Sequence, residues 1–126
     1  MNIPAELRYS SDHEWVRVDG ATATIGITEY AQDALGDVVF VEMPDTGLAV
    51  AAGESFSEVE STKSVSGIYA PITGAIAEVN AELESQPELL NSDPYGAGWI
   101  CRIAISDPSE LDGLMDADAY RALTEG

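Results

Sequence analysis

Basic side chains are scarce in this chain of 126 residues, where five Lys or Arg stand against 23 Asp or Glu. The formal net charge of −18 argues against nucleic acid and anionic membrane surfaces as partners, because both are bound through basic patches. It favours partners with basic docking surfaces, held by contacts that salt weakens. The alternative is that the acidity only maintains solubility, for example in a salty environment.

The chain also lacks long apolar runs, a secretory signal and a second cysteine. Apolar runs such as residues 38–41 are far shorter than a membrane span. The first residues contain neither the basic nor the apolar segment of a secretory signal. Cys101 cannot form an internal disulfide, which fits a reducing compartment. We therefore expect the cytoplasm, or the mitochondrial matrix for a processed organellar form, and no membrane partner.

Side chains that commonly catalyse reactions are equally sparse. One histidine, His13, and one cysteine, Cys101, lie far apart in the sequence. There is no nucleophile elbow, no phosphate-binding glycine loop and no metal-ligand spacing. A histidine near Trp15 in a predicted strand is more often structural than catalytic. Cys101, in an alternating apolar strand, is expected to be a core residue rather than a reactive thiol. We predict no catalytic residue and no metal site, and a protein that is not an enzyme acting alone.

Short apolar and β-branched segments separated by glycine and proline turns dominate the chain. This spacing predicts a mainly β fold, either a sandwich or a barrel. By length the chain is expected to be one domain, 1–126, with a β core over about 13–105. In the last predicted strand, Trp99, Cys101, Ile103 and Ile105 alternate and should share the inner face. The predicted strands are 13–18, 21–27, 37–43, 55–60, 68–71, 75–80 and 99–105, after a polar, extended segment 1–12.

Helix signals occur between the strands and after them. Thr28 is a predicted N-cap for a helix that Gly36 ends, and residues 81–91 predict a helix interrupted by Pro87. Asp107 should cap a helix with Pro108 at its first position. Asp116 should cap a second, so that C-terminal helices over about 107–124 cover an open side of the sheet.

Lys63 is the only lysine in the chain. It lies between Thr62 and Ser64, in a short hydroxylic segment between two predicted strands. Arginine would serve for charge or an ion pair, whereas a lysine is needed where the amine itself is acylated. An acylated lysine on an exposed turn would hold a long cofactor near successive active sites. The alternative is an ordinary solvated surface lysine.

Six sequence motifs follow one another in order over about residues 9–123. They are His13-Glu14-Trp15, Thr24-Ile25-Gly26-Ile27-Thr28, Leu35-Gly36-Asp37-Val38-Val39-Phe40-Val41, Glu60-Ser61-Thr62-Lys63-Ser64, Ile68-Tyr69-Ala70-Pro71 and Asp93-Pro94-Tyr95-Gly96-Ala97-Gly98-Trp99. Together they resemble the H protein of the glycine cleavage system. The resemblance implies a barrel-sandwich hybrid fold related to lipoyl and biotinyl domains, and a lipoyl-carrier domain with lipoate attached to Lys63 as an amide.

The resemblance also implies a set of partners. The P protein, a glycine decarboxylase, would load an aminomethyl group onto the lipoyl arm. The T protein, an aminomethyltransferase, would pass the one-carbon unit to tetrahydrofolate, and the L protein, a dihydrolipoamide dehydrogenase, would reoxidise the arm. Lipoylating enzymes would attach the cofactor. Glu58 and Glu60 precede the lysine, and such an enzyme could recognise their negative charges electrostatically.

One position departs from the family pattern. In the family the loaded arm docks in a cleft that includes the glutamate matching Glu14, and an aspartate usually lies where this chain has Gly67. We expect Glu14, Asp12 and Gly67 to line the cleft, with Asp12 supplying a compensating charge.

Two alternatives stay open at this point. The first is another carrier, although biotinyl domains typically flank their lysine with methionine and the lipoyl domains of 2-oxoacid dehydrogenases usually have Asp-Lys-Ala. The second is an H-like relay or interaction protein that does not serve glycine decarboxylation.

Overall fold

Two β-sheets form the body of the protein in a computed structural model that describes residues 2–125. A six-stranded sheet has the order β1-β2-β3-β9-β8-β5, and a three-stranded sheet has the order β4-β6-β7. All paired strands are antiparallel. The strands are β1 Arg8–Tyr9, β2 Glu14–Asp19, β3 Thr22–Ile27, β4 Val38–Val41, β5 Ala49–Val50, β6 Ser55–Ser61, β7 Val65–Tyr69, β8 Gly74–Val79 and β9 Cys101–Ile105.

Short helices connect the strands and end the described chain. They are α1 Glu29–Leu35, α2 Glu82–Ser85, α3 Leu89–Ser92, a 3-10 helix Pro108–Gly113 and α4 Ala117–Glu125. The predicted caps form: the Thr28 hydroxyl accepts the Ala31 N–H, and an Asp107 carboxylate oxygen accepts the Ser109 N–H. Pro87 separates α2 from α3, as expected of a residue that interrupts a helix. In the part of the chain that the structure describes, no helix is long and apolar enough to cross a membrane.

Alternating apolar side chains pack in two clusters. The main core contains inward residues of both sheets, among them Val16, Ile25, Val59, Ile76 and Ile103. A smaller cluster contains Ile3, Leu7, Tyr9, Trp15 and Tyr120. Because Trp15 and Val16 are neighbours in β2, their side chains point to opposite faces, so one strand contributes to both clusters. Helix α4 contributes Tyr120, whose ring stacks on Tyr9 at a centroid distance of 4.7 Å.

The final strand corrects one sequence prediction. Cys101 and Ile103 are fully buried and Ile105 is half-buried, but the prediction that Trp99 shares their face is wrong. The strand begins only at Cys101. Trp99 lies in the preceding loop, half-exposed, with the Arg102 guanidinium 4.4 Å above its ring. Alternation counted from a residue outside the ladder does not follow the pleat.

Candidate functional site

A tight turn joins β6 to β7 and contains Lys63. The last ladder pair is Glu60 with Val65, and beyond it the Ser61 N–H donates to the Ser64 carbonyl at 2.8 Å. The Ser61 hydroxyl oxygen accepts the N–H groups of Lys63 and Ser64, both at 3.1 Å. A short hydroxyl side chain that bonds its own backbone two and three residues on stabilises such a turn. The hydroxylic sequence around Lys63 therefore has a local structural purpose.

The Lys63 side chain is exposed, and its stem passes close to Gly36. A Cβ atom on Gly36 would lie 3.2 Å from Cε and 3.4 Å from Cδ of Lys63. Gly36 ends α1 with φ 82° and ψ −158°, a backbone region that is essentially restricted to glycine. Glycine at the helix end thus allows both the turn of the chain and the close approach of the lysine stem.

Asn91 on α3 holds the segment against which the lysine turn rests. Its amide nitrogen donates to the Gly36 carbonyl at 2.8 Å, and its oxygen accepts the Val38 N–H at 2.9 Å. Between those two residues, the Asp37 carbonyl accepts the N–H of Thr62 at 3.0 Å. One side chain therefore fixes both sides of the carbonyl that anchors the turn.

The Lys63 amine is not part of an ion pair in the described structure. Within residues 2–125 the ion pairs are Arg102 with Glu78 and Arg121 with Glu125. No group of three potential metal ligands occurs in the same range. An exposed amine without a paired carboxylate is accessible to an acylating enzyme, which a buried or paired amine would not be.

A cleft of about 260 Å³ opens beside the turn. One wall is the free edge of β7, from Ser64 to Ile68, and the other is α1 with the turn at Asp12 and His13. Its lining combines apolar side chains with hydroxyls and one carboxylate. The apolar contributors are Ile27, Ala31, Ala34, Leu35, Val65 and Ile68.

His13 shapes the wall of this cleft and is held in place from the C-terminal helix. Its φ of 69° is unusual for a residue other than glycine. The Nδ1 atom lies 2.8 Å from the Tyr120 hydroxyl, which lies 2.7 Å from the Thr28 hydroxyl at the start of α1. Burial lowers the pKa of His13, which favours the neutral ring in this network. The structural role expected for His13 fits this geometry.

The predicted docking residues do not all line one cavity. Asp12 and Gly67 line the cleft beside the lysine turn, whereas Glu14 lines a neighbouring cavity of about 300 Å³ that Asp12 also borders. The Glu14 carboxylate is buried, accepting a 2.6 Å bond from the Ser10 hydroxyl and a longer one, 3.4 Å, from the Tyr69 N–H. Burial raises the pKa of Glu14 to about 8. Asp12 is therefore the carboxylate that both cavities share.

Gly67 contributes backbone rather than a missing side chain to the cleft. A Cβ atom there would point to the Tyr69 hydroxyl at 3.3 Å and the Ser55 hydroxyl at 3.4 Å. Its φ is not positive, so any residue could adopt this backbone. The Tyr69 ring folds back along the edge strand over the space that a side chain at position 67 would enter.

Sequence reasoning missed Gly36 as a neighbour of Lys63, and Asn91 altogether. Gly36 was visible only as the end of a helix. Asn91 lies 28 positions beyond Lys63 in the sequence, within a segment expected to be partly loop. Neither contact leaves a local signal, because each depends on how distant elements pack.

The fold and the turn together define a class of protein. Two sheets around a main core, with an exposed lysine on a tight hairpin, form the barrel-sandwich architecture of lipoyl-type carrier domains. The family model for the glycine cleavage H-protein matches residues 7–126, so the chain belongs to that family, whose members carry lipoate.

Individual relatives agree with the family match. The chain is 55% identical over 124 residues to the glycine cleavage system H protein of Symbiobacterium thermophilum, covering 98% of this chain and 97% of the relative. It is 55% identical over 120 residues to the probable glycine cleavage system H protein of Haloarcula marismortui, covering 95% of this chain and 94% of the relative. The crystal structure of the H protein from Mycobacterium marinum is similar with a TM-score of 0.89 and 42% identity, over 98% of this chain and 100% of that one.

Proposed function

We propose that Lys63 carries lipoate as an amide and that the chain shuttles the aminomethyl group of glycine on this arm. The observation that carries the proposal is the exposed lysine at the tip of the β6–β7 hairpin, in a chain of this family. Ser61 fixes the turn and Gly36 gives the stem a path along the end of α1. The residues present therefore fit the cofactor.

Attachment needs only the lysine amine and an activated acyl donor. The Nζ lone pair attacks the lipoyl carboxyl carbon, the amide C–N bond forms, and the bond to the donor's leaving group breaks with its electron pair. A base of the attaching enzyme takes the amine proton. The chain's own contribution is to present Nζ on a rigid, accessible turn.

When bound at Lys63, lipoate would supply a disulfide whose S–S bond is reduced by two electrons, so that one sulfur takes the aminomethyl group and the other takes a proton. The P protein would release carbon dioxide from glycine at this step, the T protein would remove the one-carbon unit, and the L protein would reoxidise the dithiol. Membership of the family implies other components of the glycine cleavage system as partners. The bacterial relatives support the cytoplasm as the compartment.

The cleft beside the turn is the proposed resting place of the loaded arm. Its apolar lining excludes water from the adduct, and the Asp12 carboxylate can pair with a terminal ammonium. Hydroxyls of Ser64 and Ser66 border the same space. The Asp12→Asn variant should hydrolyse its aminomethyl adduct faster than the parent protein; equal lifetimes would remove Asp12 from the docking site.

Lipoylation is tested by intact-mass spectrometry. The wild-type chain, incubated with a lipoate-attaching enzyme, lipoate and ATP, should gain one lipoyl group, and Lys63→Arg should gain none. Arg17→Lys, which introduces an exposed lysine elsewhere, should gain one lipoyl group at Lys63 only. A biotin mass, or lipoyl addition that survives Lys63→Arg, would contradict the assignment.

A second assay distinguishes this function from that of an H-like relay protein, the alternative suggested by Gly67 at a position where the family usually has aspartate. The lipoylated protein should support glycine-dependent carbon dioxide release by the P protein. Full lipoylation without such release would favour an H-like relay that does not serve glycine decarboxylation.

A further inference from the structure

The outer face of the three-stranded sheet carries apolar side chains where solvent would favour polar ones. Phe40 is 53% exposed and Val65 is 56% exposed. They lie in one row across the sheet, because Phe40 pairs with Glu60 and Glu60 pairs with Val65. A groove of about 240 Å³ runs beside this row.

A β-bulge in β4 accounts for the exposure of Phe40. The register between β4 and β6 shifts between Val38 and Phe40, so Val39 is the extra residue and is 55% exposed. Val38 and Val41 remain buried on the core side. Bulges re-aim side chains, and this one turns two consecutive large apolar residues outward next to the lysine turn.

Carboxylates surround the apolar row. Glu42, Glu58 and Glu60 all line the groove and are exposed. The Glu42 N–H donates to the Glu58 carbonyl, which places Glu42, the residue after β4, beside Glu58 of β6. Neither of the ion pairs in the described residues involves them, so their charges face solvent.

We propose that this face docks the enzyme that attaches lipoate, and that the enzyme meets it with a basic surface around an apolar pocket. This inference rests on the proposed lipoylation of Lys63. The groove begins at Glu60 and Val65, the first ladder pair after the turn. A partner seated on it is therefore in contact with the turn as well.

The distance between the hairpin and the reacting atom distinguishes the attaching enzyme from the enzymes that act on the finished lipoyl arm. The bare lysine has only four methylene groups between its Cα and Nζ, so an enzyme that acylates Nζ must cover the turn and its surroundings. Enzymes that act on the finished arm meet a reactive end displaced from the turn by the whole lipoyl chain. The face next to the turn is thus buried most completely by the attaching enzyme.

Removing the negative charges of the groove should raise the KM of the attaching enzyme for this protein, with little change in kcat. The triple variant Glu42→Gln, Glu58→Gln, Glu60→Gln should raise KM about tenfold at low salt, because the exposed charges act on encounter and docking. It should also lose most of the salt dependence of KM. Its matched control is Glu6→Gln, Glu84→Gln, Glu88→Gln, which changes the net charge equally at exposed sites outside the groove.

The apolar row has its own variant and control. Phe40→Ser should raise KM about fivefold by removing an anchor side chain. Leu123→Ser, at a residue that is 50% exposed on α4, should leave KM unchanged. Melting curves of all variants verify that the fold is retained, since none of these side chains belongs to the core.

The outcomes separate the two proposals. A wild-type chain that accepts no lipoyl group overturns both the function and the docking face. Lipoylation at Lys63 with unaltered KM in the groove variants overturns the docking face alone. Unaltered lipoylation combined with slower reaction with the P protein would assign the face to that enzyme instead and so also contradict the inference.

Discussion

Gly36 shows how a single residue serves both the fold and the lysine. Its backbone, at φ 82° and ψ −158°, ends α1, and its missing side chain leaves room for the stem of Lys63. An alanine at position 36 would be unfavourable for both reasons: its backbone would be strained, and its Cβ atom would crowd the Lys63 stem. The strain of placing a side chain in this backbone region is about 1–3 kcal/mol.

We therefore predict that Gly36→Ala lowers the free energy of unfolding by about 2 kcal/mol and also slows lipoylation of Lys63. Gly20→Ala, at another positive φ but with no atom near its Cβ position, should lower stability without slowing lipoylation. Urea unfolding and single-turnover lipoylation measure the two effects. Equal lipoylation rates in both variants would show that the stem does not depend on Gly36.

Glu14 is the second residue with an unusual position, since a carboxyl group is buried there. Burial raises its pKa from 4.5 to about 8. Between these values the folded protein keeps a proton that the unfolded chain has released. Unfolding then releases the proton, so this group's contribution to stability is present at low pH and is lost as the pH rises.

Glu14→Gln should consequently remove a pH-dependent loss of stability. The free energy of unfolding of the wild type relative to this variant should fall between pH 5 and 8, by up to about 1.4 kcal/mol per pH unit. Urea unfolding at several pH values gives the difference directly. Parallel curves for the two proteins would mean that Glu14 is ionised throughout this range in the folded state.

At the scale of elements, the lysine hairpin is supported by a helix that is remote in sequence. Asn91 on α3 satisfies the Gly36 carbonyl and the Val38 N–H, on either side of the Asp37 carbonyl that binds Thr62. Asn91→Ala should lower the free energy of unfolding by about 2 kcal/mol, because a backbone N–H and a carbonyl lose their partners. It should also speed hydrogen exchange at Thr62.

Ser92→Ala is the control, since Ser92 is exposed on the same helix. It should leave the stability and the exchange rate of Thr62 unchanged. If Asn91→Ala destabilised the protein while Thr62 kept its protection, the helix would be important for folding but would not hold the hairpin.

The sequence predicts those elements whose signals are local. Thr28 and Asp107 cap helices as expected because a cap bond spans only a few residues. The strand spacing predicted only a sandwich or a barrel; the barrel-sandwich fold, which the family resemblance implied, is confirmed. Features built from distant contacts were not predictable. Examples are the loop position of Trp99, the bulge at Val39 and the separation of Glu14 from the cleft beside Lys63.

At the scale of the whole molecule, the net charge of −18 should make salt act in opposite directions on folding and on association. Screening relieves repulsion among the acidic groups of the compact state, whereas it weakens attraction to a basic partner. Raising NaCl from 0.05 to 0.5 M should stabilise the protein by about 1 kcal/mol.

The same change in salt should raise the KM for this protein in the reaction with the P protein. Thermal melts and steady-state kinetics measure the two effects. A melting temperature that falls with NaCl would show that the acidic groups do not limit stability, and a KM independent of salt would exclude electrostatic docking.

The central claim is that the arm on Lys63 receives the aminomethyl group of glycine. The most direct measurement is the intact mass of the fully lipoylated protein after incubation with glycine and the P protein, followed by peptide mapping. We predict a glycine-dependent gain of one aminomethyl group and one hydrogen, confined to the peptide containing Lys63. A lipoylated protein that gains no such mass, while the H protein of Symbiobacterium thermophilum does under the same conditions, would contradict the account.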